Sequence, residues 1–442
     1  MGLASDHLRG KSLNSVLAER VSRVVDAFVG WLEAFGEASF DHQSFYAGPA
    51  GGRAKALYYR RPVIGTAVVA PIVFCEAFAP ATRRLYHQPL RFAIADAHYA
   101  MGYGFLYEAT GNPSDLTRAI HFLDNLKQTR CTGFEECCWG YPFDWVTRNG
   151  VIREGTPLIT TTPYVYEAFL QISQFDGVPQ QPVAAEQRDE WNRILRSIVR
   201  HACGDMRDFK SSETASSCSY TPFDGGGVIN AAAYRAFLLT SASKVFASED
   251  SWRIAERNIN FVLETQNPDG SWPYAMDGVR DFIDHFHTCF VMKALAKIHA
   301  LTGHQACREA LSRGVEYYLT NLFDDDGLPR PFSKAPRLTI YKRELYDCAE
   351  CINLCLSLQD RFPQLRATLD TVIEEILSHW IKPDGSFRSR RLLIGWDNVP
   401  MHRWGQSQMF RSLAYYLLEA RREARSRATE YGPSLTSIQE TR

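Results

Sequence analysis

Three stretches in the C-terminal half of the chain, 249–266, 305–323 and 362–381, set apolar residues three or four positions apart with charged residues between them. That spacing gathers the apolar side chains on one face and leaves the other to water, so each stretch predicts an amphipathic helix. Each is followed by a more uniformly apolar stretch of helical period, at 284–303, 344–359 and 403–420. A helix that is apolar around most of its circumference must be covered there. The alternation therefore predicts an outer ring of half-exposed helices around an inner ring of enclosed ones.

A turn separates the two members of each pair: Asp269-Gly270-Ser271-Trp272-Pro273, Asp326-Gly327-Leu328-Pro329 and Asp384-Gly385-Ser386-Phe387. Their aspartates lie 57 and 58 residues apart, a period long enough for one helical hairpin and a substantial loop. The same order extends upstream, with 112–130 before 156–173 and 186–204 before 227–242. At the start, 14–35 precedes a polar loop around 45–62 and the apolar 64–78, and 90–110 supplies a further inner-type helix. About six such pairs close a ring. The expected fold is an all-α, (α/α)6 toroid forming one domain over residues 1–425, with a disordered tail at 426–442. The outer-to-inner connections are long and rich in Trp, Tyr, Phe, Asp and Gly, whereas most inner-to-outer ones are short. All long loops then fall at one end, where the inner helices begin and their free N–H groups carry partial positive charge. The functional site is expected at that end.

Charge excludes some partners. The 49 Lys and Arg nearly balance 50 Asp and Glu, which leaves no overall basic field for nucleic acid or an anionic membrane. The most apolar run, 63–80, contains Pro71 and Glu76 and reads as a buried core helix rather than a membrane span. The first residues lack an apolar core followed by a small-residue cleavage site, and the sixth position is Asp rather than the Ser or Thr of a myristoylation signal. Eleven cysteines in irregular spacing suit reduced thiols, so the expected location is the cytoplasm.

Several motifs together carry a resemblance. Trp139 to Trp145 (WGYPFDW), Thr156 to Phe169, Asp269 to Ala275 (DGSWPYA), Asp281 to Leu295 and His402 to Phe410 (HRWGQSQMF) resemble bacterial exopolysaccharide-biosynthesis proteins of the VpsJ type, across most of the chain. Turns of the DGSW kind also occur in toroids among terpene cyclases, protein prenyltransferases and carbohydrate-active enzymes. The resemblance implies a role in extracellular polysaccharide production and a saccharide or sugar-conjugate substrate; it carries over no catalytic residue.

Candidate chemistry follows from the inner-helix starts. Asp281, Asp284, His285 and His287 precede or open one inner helix, Glu344, Tyr346 and Asp347 the next, and His402, Arg403, Trp404 and Gln406 the last. The proposed catalytic set is His287 with Tyr346 for proton transfer and Asp284 or Glu344 as acid, base or orienter. Arg403 is the expected anion anchor, a salt bridge being the competing reading. Substrate contacts are expected from Trp404, Gln406, His285 and Asp347, and from the aromatic complement Trp139, Tyr141, Tyr164, Tyr166, Trp272 and Tyr274, whose rings suit the C–H faces of sugars. Against this stand an N-cap role for Asp284 and core packing for any single aromatic. Arg60 and Arg61 either contact an anion or solvate a loop. Asp324-Asp325-Asp326 reads as a solvated turn and Gly225-Gly226-Gly227 as a flexible one. Cys348, Cys351 and Cys355 share a helical face without completing a zinc set, and no metal or cofactor is implied. Two other classes remain open: a non-catalytic glycan-binding or assembly protein, and an isoprenoid-handling toroid, for which the DxDD and DDxxD motifs are missing.

Overall fold

The Asp-Gly turns fold as their sequences require. Asp269 accepts hydrogen bonds from both the backbone N–H and the hydroxyl of Ser271, and Asp384 does the same for Ser386. Gly270 and Gly385 take φ of +91° and +90°, and a Cβ on either would lie 2.3 Å from the Arg313 carbonyl or 2.5 Å from that of Ala27. Only glycine fits there. Each turn thus fixes one loop against the outer helix of a neighbouring repeat.

This is a computed structural model, and it describes residues 15–178 and 181–430. The readings made on residues 1–14 and on the tail from 431 onwards lie outside the described residues. The helices are α1 (Ser15–Phe35), α2 (Ser44–Ala47), α3 (Pro49–Arg60), α4 (Pro62–Phe78), α5 (Ala93–Thr110), α6 (Pro113–Gln128), α7 (Thr162–Ser173), α8 (Ala185–Gly204), α9 (Ile229–Val245), α10 (Glu249–Glu264), α11 (His285–Thr302), α12 (Gln305–Asn321), α13 (Leu345–Leu358), α14 (Leu365–Glu375) and α15 (Ser407–Glu430). Helices α5, α7, α9, α11, α13 and α15 pack in that order, and α15 returns to α5, closing the inner ring. Helices α6, α8, α10, α12 and α14 lie outside it, each against the inner helix that precedes it, and α1 completes the outer ring by packing on α15. The all-α (α/α)6 toroid is the fold of this chain.

Ring closure is an aromatic event. Along α1, Leu17, Val21, Val25, Phe28 and Leu32 are buried at helical spacing. Phe28 sits within 5.4 Å of Phe410 on α15, 5.3 Å of Phe387 in the last Asp-Gly turn and 6.4 Å of Tyr99 on α5. One side chain thereby ties the first helix to the last repeat, at the seam where the chain has no covalent continuity.

The first pair differs from the sequence reading in one respect. Its inner helix is α5, and the segment from 44 to 78 is a helical excursion rather than a polar loop and a core helix. Helices α3 and α4 pack on one another, and a small separate core of Phe45, Ala54, Val69 and Ile72 holds them. Among the described residues nothing covers the other side of α4, so Val63, Ile64, Val68, Phe74 and Phe78 are exposed. A run with no polar face predicts a helix but not what covers it. Arg60 and Arg61 are exposed at the junction of α3 and α4. No described helix is long and apolar enough to cross a membrane.

Candidate active site

The long loops meet at the end where the inner helices start, and short antiparallel pairings tie each to its neighbour: 283–284 to 332–334, and 341–344 to 390–392. That lacing positions the first residues of α11 and α13. Asp284 ends its strand in extended conformation and caps α11, accepting the His287 backbone N–H at 3.1 Å. Its other oxygen lies 2.6 Å from His287 Nδ1. The cap is therefore also the orienter of an imidazole: Asp284 is buried, the His287 side chain is 22% exposed, and Nε2 has no protein partner among the described residues. The ring stands among Phe286 at 4.3 Å, Tyr274 at 4.6 Å and Phe290 at 5.6 Å.

One repeat on, Glu344 sits at the end of its strand, 2.6 Å from Arg390 and accepting the Trp404 indole N–H at 2.9 Å. Burial raises the Glu344 carboxyl, against the pull of Arg390 and Trp404. Asp347 is buried with no hydrogen-bond partner at either oxygen. Burial, then the nearby Glu344 and Asp284, push it well above the usual carboxylate range, which favours its protonated form. Tyr346 stacks on Trp404 with centroids 4.6 Å apart and planes 13° apart. Burial and Glu350 push its phenol well above the ordinary value, which keeps it a hydrogen donor.

The last repeat enters through a kinked turn at His402–Gln406, where Gly405 has φ +128°. Arg403 spends its fork on Asp41, with bonds of 2.9 and 2.6 Å, and lies 4.5 Å from the Tyr141 ring centroid. Burial works to raise Asp41, but Arg403 and then His42 hold it well below the usual carboxylate range. The guanidinium thus has its carboxylate from the protein, and the salt-bridge reading of Arg403 describes this geometry. His42 packs 4.3 Å from Trp404.

Five expected ligand contacts are engaged in packing. Trp139 and Trp272 are buried and donate their indole N–H to the carbonyls of Leu126 and Val262. Tyr166 is buried 3.3 Å from the Ser241 hydroxyl, and Gln406 clamps both backbone groups of Phe387. His285 is buried between the Leu322 carbonyl and the Tyr318 hydroxyl. Tyr164 lies deeper in the inner ring, 2.5 Å from the Tyr234 hydroxyl. Tyr141, Tyr274 and Trp404 stay half-buried around the cleft. Asp41, His42 and Arg390 were not singled out from sequence: they come from the excursion's entry and a loop strand, where neither repeat nor helical period marks them. Two surface grooves, of about 380 Å³ beside Glu33 and Arg118 and about 460 Å³ beside Trp252 and His304, do not include His287.

This molecule is an (α/α)6 toroid in which a buried carboxylate holds a partly exposed imidazole among aromatic rings at the loop end. Among solved structures it is similar to an unsaturated glucuronyl hydrolase specific for heparin (TM-score 0.58, 10% identity, 93% of this chain and 98% of the other). It is likewise similar to the unsaturated glucuronyl hydrolase from Bacillus sp. GL1 (TM-score 0.58, 10% identity, 90% and 96%). A third is cellobiose 2-epimerase from Bacillus thermoamylovorans B4167 (TM-score 0.55, 10% identity, 74% and 87%). At such identity the likeness is one of fold. No family model and no curated protein matches the chain.

Proposed function

We propose that this chain is a carbohydrate-active enzyme that moves a proton on a sugar, of the epimerase or lyase type, in exopolysaccharide production in the cytoplasm. The observation that carries the chemistry is the 2.6 Å contact between Asp284 and His287 Nδ1. A carboxylate on Nδ1 fixes the tautomer that presents Nε2 as a base and stabilises the imidazolium once the proton arrives. Tyr346, kept protonated, is the matching donor; it and His287 flank the same pair of rings, Phe286 and Phe290. Tyr274 and Trp404 offer faces for the sugar. The toroidal neighbours act, by their names, on glucuronyl-bearing saccharides and cellobiose, and the exopolysaccharide context rests on the VpsJ-type motifs.

A second reading, glycoside hydrolysis, has one observation in its favour: Asp347 is buried with neither oxygen hydrogen-bonded, and its carboxyl is pushed upward by burial and by Glu344 and Asp284. The test is incubation with reducing disaccharides, uronates and acidic oligosaccharides, with products resolved by chromatography. Isomerised or unsaturated products, lost in His287→Ala, support the first reading. Simple cleavage that survives in His287→Ala and disappears in Asp347→Asn supports the second. A panel left unchanged by the wild type contradicts both.

A further inference from the structure

Below the cleft, all six inner helices contribute a polar side chain to one layer across the ring: His98 from α5, Tyr164 from α7, Tyr234 from α9, Lys293 from α11, Glu350 from α13 and Arg411 from α15. All are buried. The layer is continuous: His98 packs 4.5 Å from Tyr164, which hydrogen-bonds Tyr234, while Lys293 bonds Glu350 and Arg411 lies 5.4 Å from the Tyr164 ring centroid. Phe290 joins it to the cleft, touching His287 on one side and Tyr234 and Lys293 on the other.

Its charges do not cancel. Around the layer three cations, Lys293, Lys297 and Arg411, meet two carboxylates: Lys293 holds Glu350 and Lys297 holds Glu167. Arg411 is left with its nearest carboxylate oxygen at 3.9 Å and an Nε without a partner. His98 has no partner on either ring nitrogen, and burial, with Arg411 and Lys293 nearby, holds it neutral. A buried cation with only a long, shared ion pair is poorly compensated, so the arrangement is short of one anion. The sequence reading gave the anchor to Arg403, whose fork Asp41 fills; Arg411, two turns further along the same segment, has no bidentate carboxylate among the described residues, only Glu350 at 3.9 Å.

We infer that Arg411, with His98 and Tyr164 beside it, is an oxyanion subsite for the carboxylate or phosphate of an acidic sugar, seated beneath the His287–Asp284 pair. This deepens the sugar reading and rests on it for the identity of the ligand. Arg411 is a binding residue here; its planar fork suits a two-oxygen group, as a lysine would not.

The test uses the full chain, wild type and Arg411→Met, titrated with inorganic phosphate, glucuronate and glucose while the thermal midpoint is followed. The expected result is stabilisation by phosphate and glucuronate that is at least about tenfold weaker in affinity for Arg411→Met, with the glucose response unchanged; one lost charged contact corresponds to about that factor. Without ligand, Arg411→Met should melt no lower than wild type, because it removes a buried charge whose one ion pair is long and whose carboxylate keeps Lys293. If glucose and glucuronate bind equally in both proteins, the subsite is overturned and the sugar reading stands. If phosphate binds through Arg411 but no sugar does, the subsite stands and the sugar reading falls. No response to any of the three overturns both. Should Arg411→Met fail to fold, Arg411→Lys decides: weaker glucuronate binding with unchanged glucose binding supports the subsite, and unchanged glucuronate binding overturns it.

Discussion

At the scale of the residue, the cap of α11 and the orienter of the imidazole are one side chain, and the two roles separate by substitution. Asparagine caps a helix about as well as aspartate but carries no charge for the imidazolium. Asp284→Asn should therefore hold its denaturation midpoint within about 1 kcal/mol of wild type while turnover falls by about 100-fold or more. Equal losses in stability and rate would reduce Asp284 to a cap. Asp347 predicts a pH signature. Its folded carboxyl lies well above the ordinary 3.8, so the stability it contributes is complete below about pH 4 and is lost as pH rises towards the folded value. Asp347→Asn does not titrate, and its stability relative to wild type should rise by about 1 kcal/mol per pH unit above pH 4, read from urea midpoints at pH 4 and pH 7. A constant difference would mean that Asp347 is ionised. Arg403→Met strands the buried Asp41 and should cost about 3–5 kcal/mol in the same measurement, the opposite of the response expected at Arg411.

At the scale of the element, what repeats in the sequence is what became legible. The 57- and 58-residue spacing and the alternation of half-apolar with apolar helices lead directly to hairpins, rings and the loop end. The Asp-Gly turns follow from local chemistry, and Gly270→Ala should cost about 1–3 kcal/mol because it adds strain at positive φ to a clash with the Arg313 carbonyl. A stability change near zero would show that the turn relaxes freely. The local geometry of the candidate site was legible where a residue's place at a helix start also decides its partner, as with Asp284 and His287. It was not legible where the partner comes from 362 residues away, as Asp41 does for Arg403, or where two aromatics of similar context part company, Trp272 into the core and Tyr274 beside His287. Burial in a closed ring depends on which neighbour arrives, and period carries no information about that.

At the scale of the whole molecule, closure sets both stability and function. Phe28 joins the first helix to the last inner helix and to Phe387, so Phe28→Ala should cost about 3–5 kcal/mol, whereas Phe74→Ser on exposed α4 should leave the melting midpoint unchanged. The excursion that carries α4 also supplies Glu76, which holds Arg390 at 2.9 Å and so reaches Glu344, linking the apolar hairpin to the cleft wall. The closed ring brings the starts of α11, α13 and α15 into one cleft, and the central claim is that a sugar carbon loses a proton to His287 there. The most direct measurement is NMR of candidate sugars incubated with the protein in deuterated water. Deuterium should wash into, or a double bond should form at, the carbon beside the carbonyl or carboxylate of a saccharide. The signal should disappear in His287→Ala and fall at least about 100-fold in Asp284→Asn. A saccharide converted with no exchange at carbon, or exchange that persists in His287→Ala, would contradict proton loss to His287.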